Sequence, residues 1–521
     1  AARSQGHRLM AVGFDFGTTN SLMAVVDFDR AVPVLDRDTG LPFPSAVRFE
    51  GAKTIIGREA REALGEAGLG IHGDTIRSPK FQLGKDRIEV GGVERDPIQI
   101  VASVIKYIKE RSLEVEQRRD ALLKNFESAV VTIPVTMNGP KRKALRDAFA
   151  EADTEIVQFI HEPFAALYGY IRNQTDQAAT IRRLEKRDVL VVDWGGGTLD
   201  LTLCRIQSGR IKQRRNGGSD EVGGDKFDET IRNEVVRRWT IQQDISDLFE
   251  ANHDANLQLL QQSESGKIDL SQDDEFYFYV PTYFQNPETD LEYRLTRTEF
   301  DEIVDPLINK GLHQIQALLL EEGVSPGQVD LCLVAGGMAS MPSIAARLNE
   351  MFGPNRVEIP DNSQTLVAEG AAWVAHDSQK LRLARQIELQ LARGSYLPVI
   401  KQDIQVPGPR ENLRITRDLY CTDPSDGSAV FNICSPSLLS DNPQPFEPRT
   451  TLGHLLVEVS DQAKPFDERL AIAFRLDQDL IMHVDARSTL MDSRDSTKFY
   501  DLEFTIDLPE TAEIVAEAPV V

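Results

Sequence analysis

Short apolar runs, each closed by a polar turn, alternate along much of this chain with longer stretches whose apolar positions repeat at helical spacing. Val101, Val104, Ile105 and Ile108 fall on one face of residues 98–116, which predicts an amphipathic helix, extended by a charged helical stretch over 116–124. Residues 140–152 begin on Pro140 and stay rich in alanine, predicting a second helix, and residues 256–265 predict a third. The alternation over 9–376 predicts two α/β halves. After residue 376 the pattern changes. Residues 377–393 are charged and helix-prone and predict a linker. Over 394–508, short strands are expected at 396–400, 429–434, 452–459, 470–476, 480–486 and 499–506, separated by turns rich in Pro, Gly, Asp and Ser. That region predicts a small all-β sandwich. Residues 1–8 are expected to be a disordered leader, and 509–521 an acidic tail.

Two of the apolar runs end in the same way. Leu9, Met10, Ala11 and Val12 lead into Gly13-Phe14-Asp15-Phe16-Gly17-Thr18-Thr19-Asn20; Val189, Leu190, Val191 and Val192 lead into Asp193-Trp194-Gly195-Gly196-Gly197-Thr198-Leu199-Asp200. A second apolar strand follows each. Glycine lets backbone N–H groups approach a phosphate, the threonine hydroxyl adds a donor, and a strand-end aspartate suits Mg²⁺ held through water. One such hairpin is mainly a turn; two copies predict duplicated halves clamping one nucleotide. A third glycine element, Gly336-Gly337-Met338-Ala339-Ser340, follows the apolar run 329–334 and supplies a flat backbone for the adenosine end.

With these motifs the chain resembles the actin-like ATPase superfamily and, within it, the DnaK-like seventy-kilodalton heat-shock chaperones. Further matches are Val131-Thr132-Ile133-Pro134 with Arg142, His161-Glu162-Pro163-Phe164-Ala165-Ala166, Val222-Gly223-Gly224-Asp225-Lys226-Phe227-Asp228 and the segment from Ser263 to Ser271. The resemblance implies an actin-like α/β ATPase of two duplicated lobes around a nucleotide cleft, followed by a β-sandwich. It implies Mg²⁺-dependent ATP hydrolysis, with ADP as product. Asp15, Lys80, Glu162, Asp193 and Thr198 would form the catalytic set, and Asp15, Asp193 and Asp200 would hold Mg²⁺ through water. Nucleotide would be held by Gly17, Thr18, Thr19, Asn20, Gly195, Gly196, Gly197, Thr198, Gly223, Gly224, Glu264, Lys267, Ser271, Gly336, Gly337, Met338 and Ser340. Gln364 and Met338 depart from the family pattern at this end, so altered affinity is expected.

The resemblance also implies a polypeptide client for the C-terminal β domain, with a nucleotide exchange factor among its partners. Gln158, His161 and Phe164 replace the family's residues on the face that meets J-domain co-chaperones, which speaks against a standard one. Leu381-Arg382-Leu383-Ala384-Arg385-Gln386-Ile387 is basic and interrupted where the family linker is a leucine run. Leu480 replaces a turn glycine, predicting a different turn type. No helical lid is expected, which makes the chain a divergent member. The alternative is a nucleotide-dependent switch or assembly ATPase with one dedicated protein partner; a small-molecule kinase or a filament former fits less well.

Composition narrows the partners. The net charge is −24, from 58 basic and 82 acidic residues, which argues against nucleic acid and anionic membranes. Cys204, Cys332, Cys421 and Cys434 show no metal-ligand spacing and predict reduced thiols in a cytoplasmic protein.

Overall fold

The computed structural model describes residues 12–62, 70–116, 127–245, 251–440 and 442–509. The leader, residues 9–11, the charged extension beyond 116 and the tail from 510 lie outside the described residues.

Two sheets share one plan. In the first, Val12–Phe16 runs antiparallel to Asn20–Asp27 and parallel to Ser128–Ile133; Glu155–His161 and Arg30–Val34 lie beyond these on either side. In the second, Asp188–Trp194 runs antiparallel to Leu199–Gln207 and parallel to Val329–Ala335, with Val357–Glu358 and Arg210–Ser219 beyond. The order and strand directions repeat. Every residue of Asp188–Trp194 is buried, as a central strand packed on both faces requires. Helices Glu162–Arg172 and Leu366–His376 cross between the sheets at van der Waals contact. A Cβ on Gly370 would fall 1.8 Å from the Ala165 carbonyl oxygen, so only glycine allows this crossing.

The C-terminal region forms two four-stranded sheets. One holds Tyr396–Ile400, Ile387–Gln390, Ser428–Pro436 and Arg449–Glu458; the other holds Asn412–Tyr420, Arg469–Asp477, Met482–Ser488 and Arg494–Phe499. Leu470, Ile472, Phe474 and Leu476 are buried on the inner side of their strand, while Ala473 and Arg475 are half-buried on the other.

Two expectations are corrected. Residues 377–393 are not helical: Arg382–Leu383 and Ile387–Gln390 are strands. Helix propensity loses to burial, because Leu381, Leu383, Ile387 and Leu389 all reach the core. The strand expected over 499–506 is two strands. Arg494–Phe499 stays in the sandwich, whereas Phe504–Asp507 enters the second sheet, between Arg210–Ser219 and Arg382–Leu383. At the neighbouring hairpin turn, Leu480 has a left-handed backbone, at φ 60°. Its side chain is fully buried and its carbonyl accepts from Arg142, contacts that offset the strain.

Those contacts dock the sandwich onto the first sheet. The Arg142 guanidinium is fully buried and donates to the carbonyls of Met137 (2.7 Å), Leu480 (3.2 Å) and Tyr500 (3.3 Å). Arg146 pairs with Asp479 at 2.5 Å and donates to the Gln478 carbonyl at 3.0 Å. Burial pushes the Arg142 pKa down to about 10, against the pull of Asp501, Asp479 and Asp477.

Candidate functional site: an acidic cleft between two hairpins

The duplicated strand ends meet at a cleft of about 590 Å³. Asp15, Gly17, Thr18, Thr19 and Asn20 enter it from the first hairpin, and Asp193, Gly195, Gly196, Gly197 and Thr198 from the second. The second hairpin turns tightly, the Gly195 N–H donating to the Thr198 carbonyl at 2.8 Å. The two loops touch: a Cβ on Gly196 would lie 2.4 Å from Thr19 Oγ1. Gly336, at φ 87°, brings the third glycine element against the Trp194 carbonyl, where a Cβ would sit at 2.4 Å.

Lys80 reaches the cleft from a 3-10 turn, Pro79–Gln82, entered through Ser78 in a left-handed conformation at φ 67°. Its ammonium is buried and donates to Glu162 Oε1 at 3.1 Å. Glu162 opens the helix Glu162–Arg172, so the helix dipole and Lys80 both favour its charged form. Asp15 accepts from Thr132 Oγ1 at 2.7 Å, and Asp200 from the Val135 N–H at 2.9 Å. Ladder register places Asp193 directly opposite Asp200.

Asp15, Glu162, Asp193 and Asp200 thus gather around one lysine. Burial raises all of their pKa values and is the largest cause for each. Lys80 opposes the rise at each, while the carboxylates reinforce one another at Glu162 and Asp193. Such a cluster lacks positive charge, and hard oxygen donors suit Mg²⁺. Thr19 Oγ1 and Asp200 Oδ2 are buried without hydrogen-bond partners, as expected of groups that complete their bonding with a ligand. Among the described residues no three His, Cys, Asp or Glu side chains converge tightly enough for direct ligation.

Carboxyls with raised folded pKa values favour folding below the ordinary carboxylate range, and that stability is lost as pH rises through the raised values. Millimolar Mg²⁺ is therefore expected to raise the melting temperature of the nucleotide-free protein several degrees more at about pH 8 than at about pH 5. Scanning calorimetry checks this; Asp193→Asn should shrink the difference, and an equal shift at both pH values would count against the cation site.

At the far end, Glu264, Lys267, Gly336, Gly337, Met338 and Ser340 line the cleft. Two of them already have partners. Glu264 is paired with Arg61 and, at 3.2 Å, with Arg77; burial alone would raise its pKa, but Arg77, Arg61 and Lys267 together outweigh burial and hold it at about 2. Lys267 is paired with Asp228 at 2.7 Å and donates to the Gly224 carbonyl at 3.1 Å. Gly223 and Gly224 stand behind the second hairpin rather than on the lining; the Gly224 N–H donates to the Gly195 carbonyl at 3.1 Å, bracing the loop. Ser271 also lies off the lining, with its hydroxyl on the Lys267 carbonyl at 3.0 Å. Sequence reasoning missed Arg61, Arg77 and Asp225, whose ion pairs cross the cleft between residues distant in the chain. Arg77 carried a signal, an arginine closing the buried strand Thr75–Arg77 just before Lys80. Gln261, Ile268 and Val367 on the lining carried none.

Residues 11–380 match the family model described as Hsp70 protein. Chaperone protein DnaK of Thermus thermophilus is 28% identical over 387 residues, which cover 70% of this chain and 60% of the relative. The chain therefore spans less than two thirds of that protein's length. Chaperone protein DnaK of Deinococcus deserti is 25% identical over 545 residues, covering 98% of this chain and 82% of the relative. The same protein of Deinococcus radiodurans is 25% identical over 542 residues, with the same coverage. With the family model matched across most of its length, the chain belongs to the Hsp70 protein family.

Proposed function

We propose that this chain is a divergent DnaK-like chaperone that hydrolyses ATP in the acidic cleft and binds extended polypeptide through its C-terminal β domain. Residues 9–376 act as an actin-like ATPase with two duplicated lobes, 377–393 as the connection and 394–508 as the partner-binding domain. The observation that carries the reading is the ring of Asp15, Glu162, Asp193 and Asp200 around Lys80, set where two glycine–threonine hairpins meet.

Phosphoryl transfer asks a protein mainly for position and charge. Thr18, Thr19, Gly196, Gly197 and Thr198 offer donors to the phosphate oxygens from both sides of the cleft. Lys80 and Glu162 form a hydrogen-bonded pair able to orient an attacking water and hold its proton. Asp15 and Asp193, with Asp200 behind them, would hold Mg²⁺, which when bound neutralises charge on the β- and γ-phosphates. Gly336, Gly337, Met338 and Ser340 supply the adenosine end. The buried free thiols of Cys204, Cys332, Cys421 and Cys434 suit the reducing cytoplasm.

ATP hydrolysis by the purified chain, followed as phosphate release with and without a Mg²⁺ chelator, tests the enzymatic part. Chelator-sensitive turnover supports it; no nucleotide binding at all removes it. A second reading, a switch with one dedicated partner, is favoured by the strand Phe504–Asp507, which ties the end of the sandwich into the ATPase sheet. Under that reading the chain turns over ATP but binds no generic peptide.

A further inference from the structure

The sandwich sheet containing Arg469–Asp477 turns an outer face to solvent, with Arg414, Thr416, Asp485, Arg487, Ser496 and Lys498 all exposed. Strand register sets Arg414 opposite Arg475, Arg475 opposite His483, and His483 opposite Lys498. One row straight across the sheet is therefore made of basic side chains. Strands lie about 4.8 Å apart, so the row spans about 14 Å. Like charges on facing strands, as Arg414 and Arg475 are, destabilise a sheet, and this pair occurs in a chain of net charge −24. Asp477 answers part of it, lying 3.7 Å from Arg475 and 2.7 Å from His483. Among the described residues, Arg414 and Lys498 at its two ends join no ion pair. The next row, Thr416, Ala473, Asp485 and Ser496, has short side chains and stands lower than the basic row, with Asp485 its one acid. Arg487 and Arg494 face each other on its far side.

We propose that this row is a docking surface for an acidic, extended polypeptide segment of a partner protein. An extended chain advances about 3.3 Å per residue and sends alternate side chains to one side, so acidic residues at positions i, i+2 and i+4 fall about 6.6 Å apart. Three of them match the length of the row, and the short side chains of the next row leave room for their backbone. A short acidic peptide fits better than a nucleic acid or an anionic membrane. The chain's net charge repels large polyanions at long range, and Asp418 and Asp485 interrupt any longer basic stripe. The surface is separate from the nucleotide cleft, so its failure would leave the proposed ATPase untouched.

The test uses the full chain and a fluorescein-labelled nonapeptide with glutamates at alternate positions, read by fluorescence anisotropy against the same peptide with lysines. The acidic peptide is expected to bind at least about tenfold more tightly, and the Arg414→Glu/Lys498→Glu variant to lose about tenfold. Binding should weaken with salt. Both substituted side chains are exposed, so circular dichroism and ATP turnover should not change. Equal binding of the two peptides, or an unaffected variant, overturns the proposal. So would a single-stranded oligonucleotide or a phosphatidylserine vesicle that binds through the same residues more tightly than the acidic peptide. A monomer–dimer equilibrium abolished by the same substitutions would assign the face to a second copy of the chain and overturn it too.

Discussion

Lys80→Ala is expected to lower ATP turnover by about two to three orders of magnitude while leaving nucleotide affinity within a few-fold. Lys80 is the cation among the buried carboxyls of Glu162, Asp193 and Asp200 and the half-buried Asp15, and its ammonium sits 3.1 Å from Glu162. Under the proposed function, removing it would take away charge facing the phosphoryl transition state, and it frees Glu162 from its partner. Binding should survive, because the hairpin donors at Thr18, Thr19, Gly196 and Gly197 remain. The same substitution also strips the compensation from the cluster, so the carboxyl pKa values rise further. Folded acids with raised pKa values cost stability as pH increases. The variant should therefore melt lower than the parent at neutral pH, and the gap should narrow toward pH 5. Single-turnover hydrolysis and calorimetry on one preparation check both effects. Turnover within about threefold of the parent would remove Lys80 from the reaction.

The second large effect concerns the docked sandwich. Arg142→Ala deletes a fully buried guanidinium and leaves the carbonyls of Met137, Leu480 and Tyr500 without their donor. Unsatisfied buried acceptors cost about 1–3 kcal/mol each, so docking should weaken by about 2–4 kcal/mol after relaxation. Arg142→Lys should recover little, since one ammonium cannot reproduce the fork that reaches four carbonyls, that of Asp479 at 3.4 Å among them. Fluorescence energy transfer between labels on the ATPase region and the sandwich is expected to fall in the variant, and protease cleavage near residues 384–386 to accelerate. Unchanged transfer would mean that the sandwich is held by the paired strands alone. A partial loss is also informative, because Arg146 and its pair with Asp479 remain.

How much of this was legible depended on how local each cause is. The strand ends at Asp15 and Asp193 could be read directly, because apolar run, aspartate, glycine and threonine follow one another in the chain. The helix Pro97–Glu116 was legible from its apolar stripe, and the sandwich strands from alternation and turn residues. The strand Arg382–Leu383 was not, since its partner Phe504–Asp507 lies more than a hundred residues away and its own composition favours helix. The same distance hid the pairs of Glu264 with Arg61 and Arg77. The conformation of Leu480 was hidden for another reason. A left-handed leucine is unfavourable in isolation, and only its burial against the Arg142 region makes it acceptable. His161 shows the same limit. It is buried against Phe504 and Gln213, and burial, aided by Arg142, pushes its pKa to about 3. None of those neighbours is near it in sequence. Through them, strand Glu155–His161 touches both the connecting segment, by Gln158 on the Leu381 N–H at 3.0 Å, and the returning strand, while leading directly into Glu162.

That continuity predicts coupling between the cleft and the sandwich. The most direct measurement is release of a fluorescent extended peptide from the full chain on adding ATP, compared with ADP and with Lys80→Ala. Faster release with ATP than with ADP, retained in Lys80→Ala for at least one binding event, is the predicted result, because docking would respond to nucleotide before hydrolysis. Peptide release at one rate in every nucleotide state, with ATP still turned over, would contradict it.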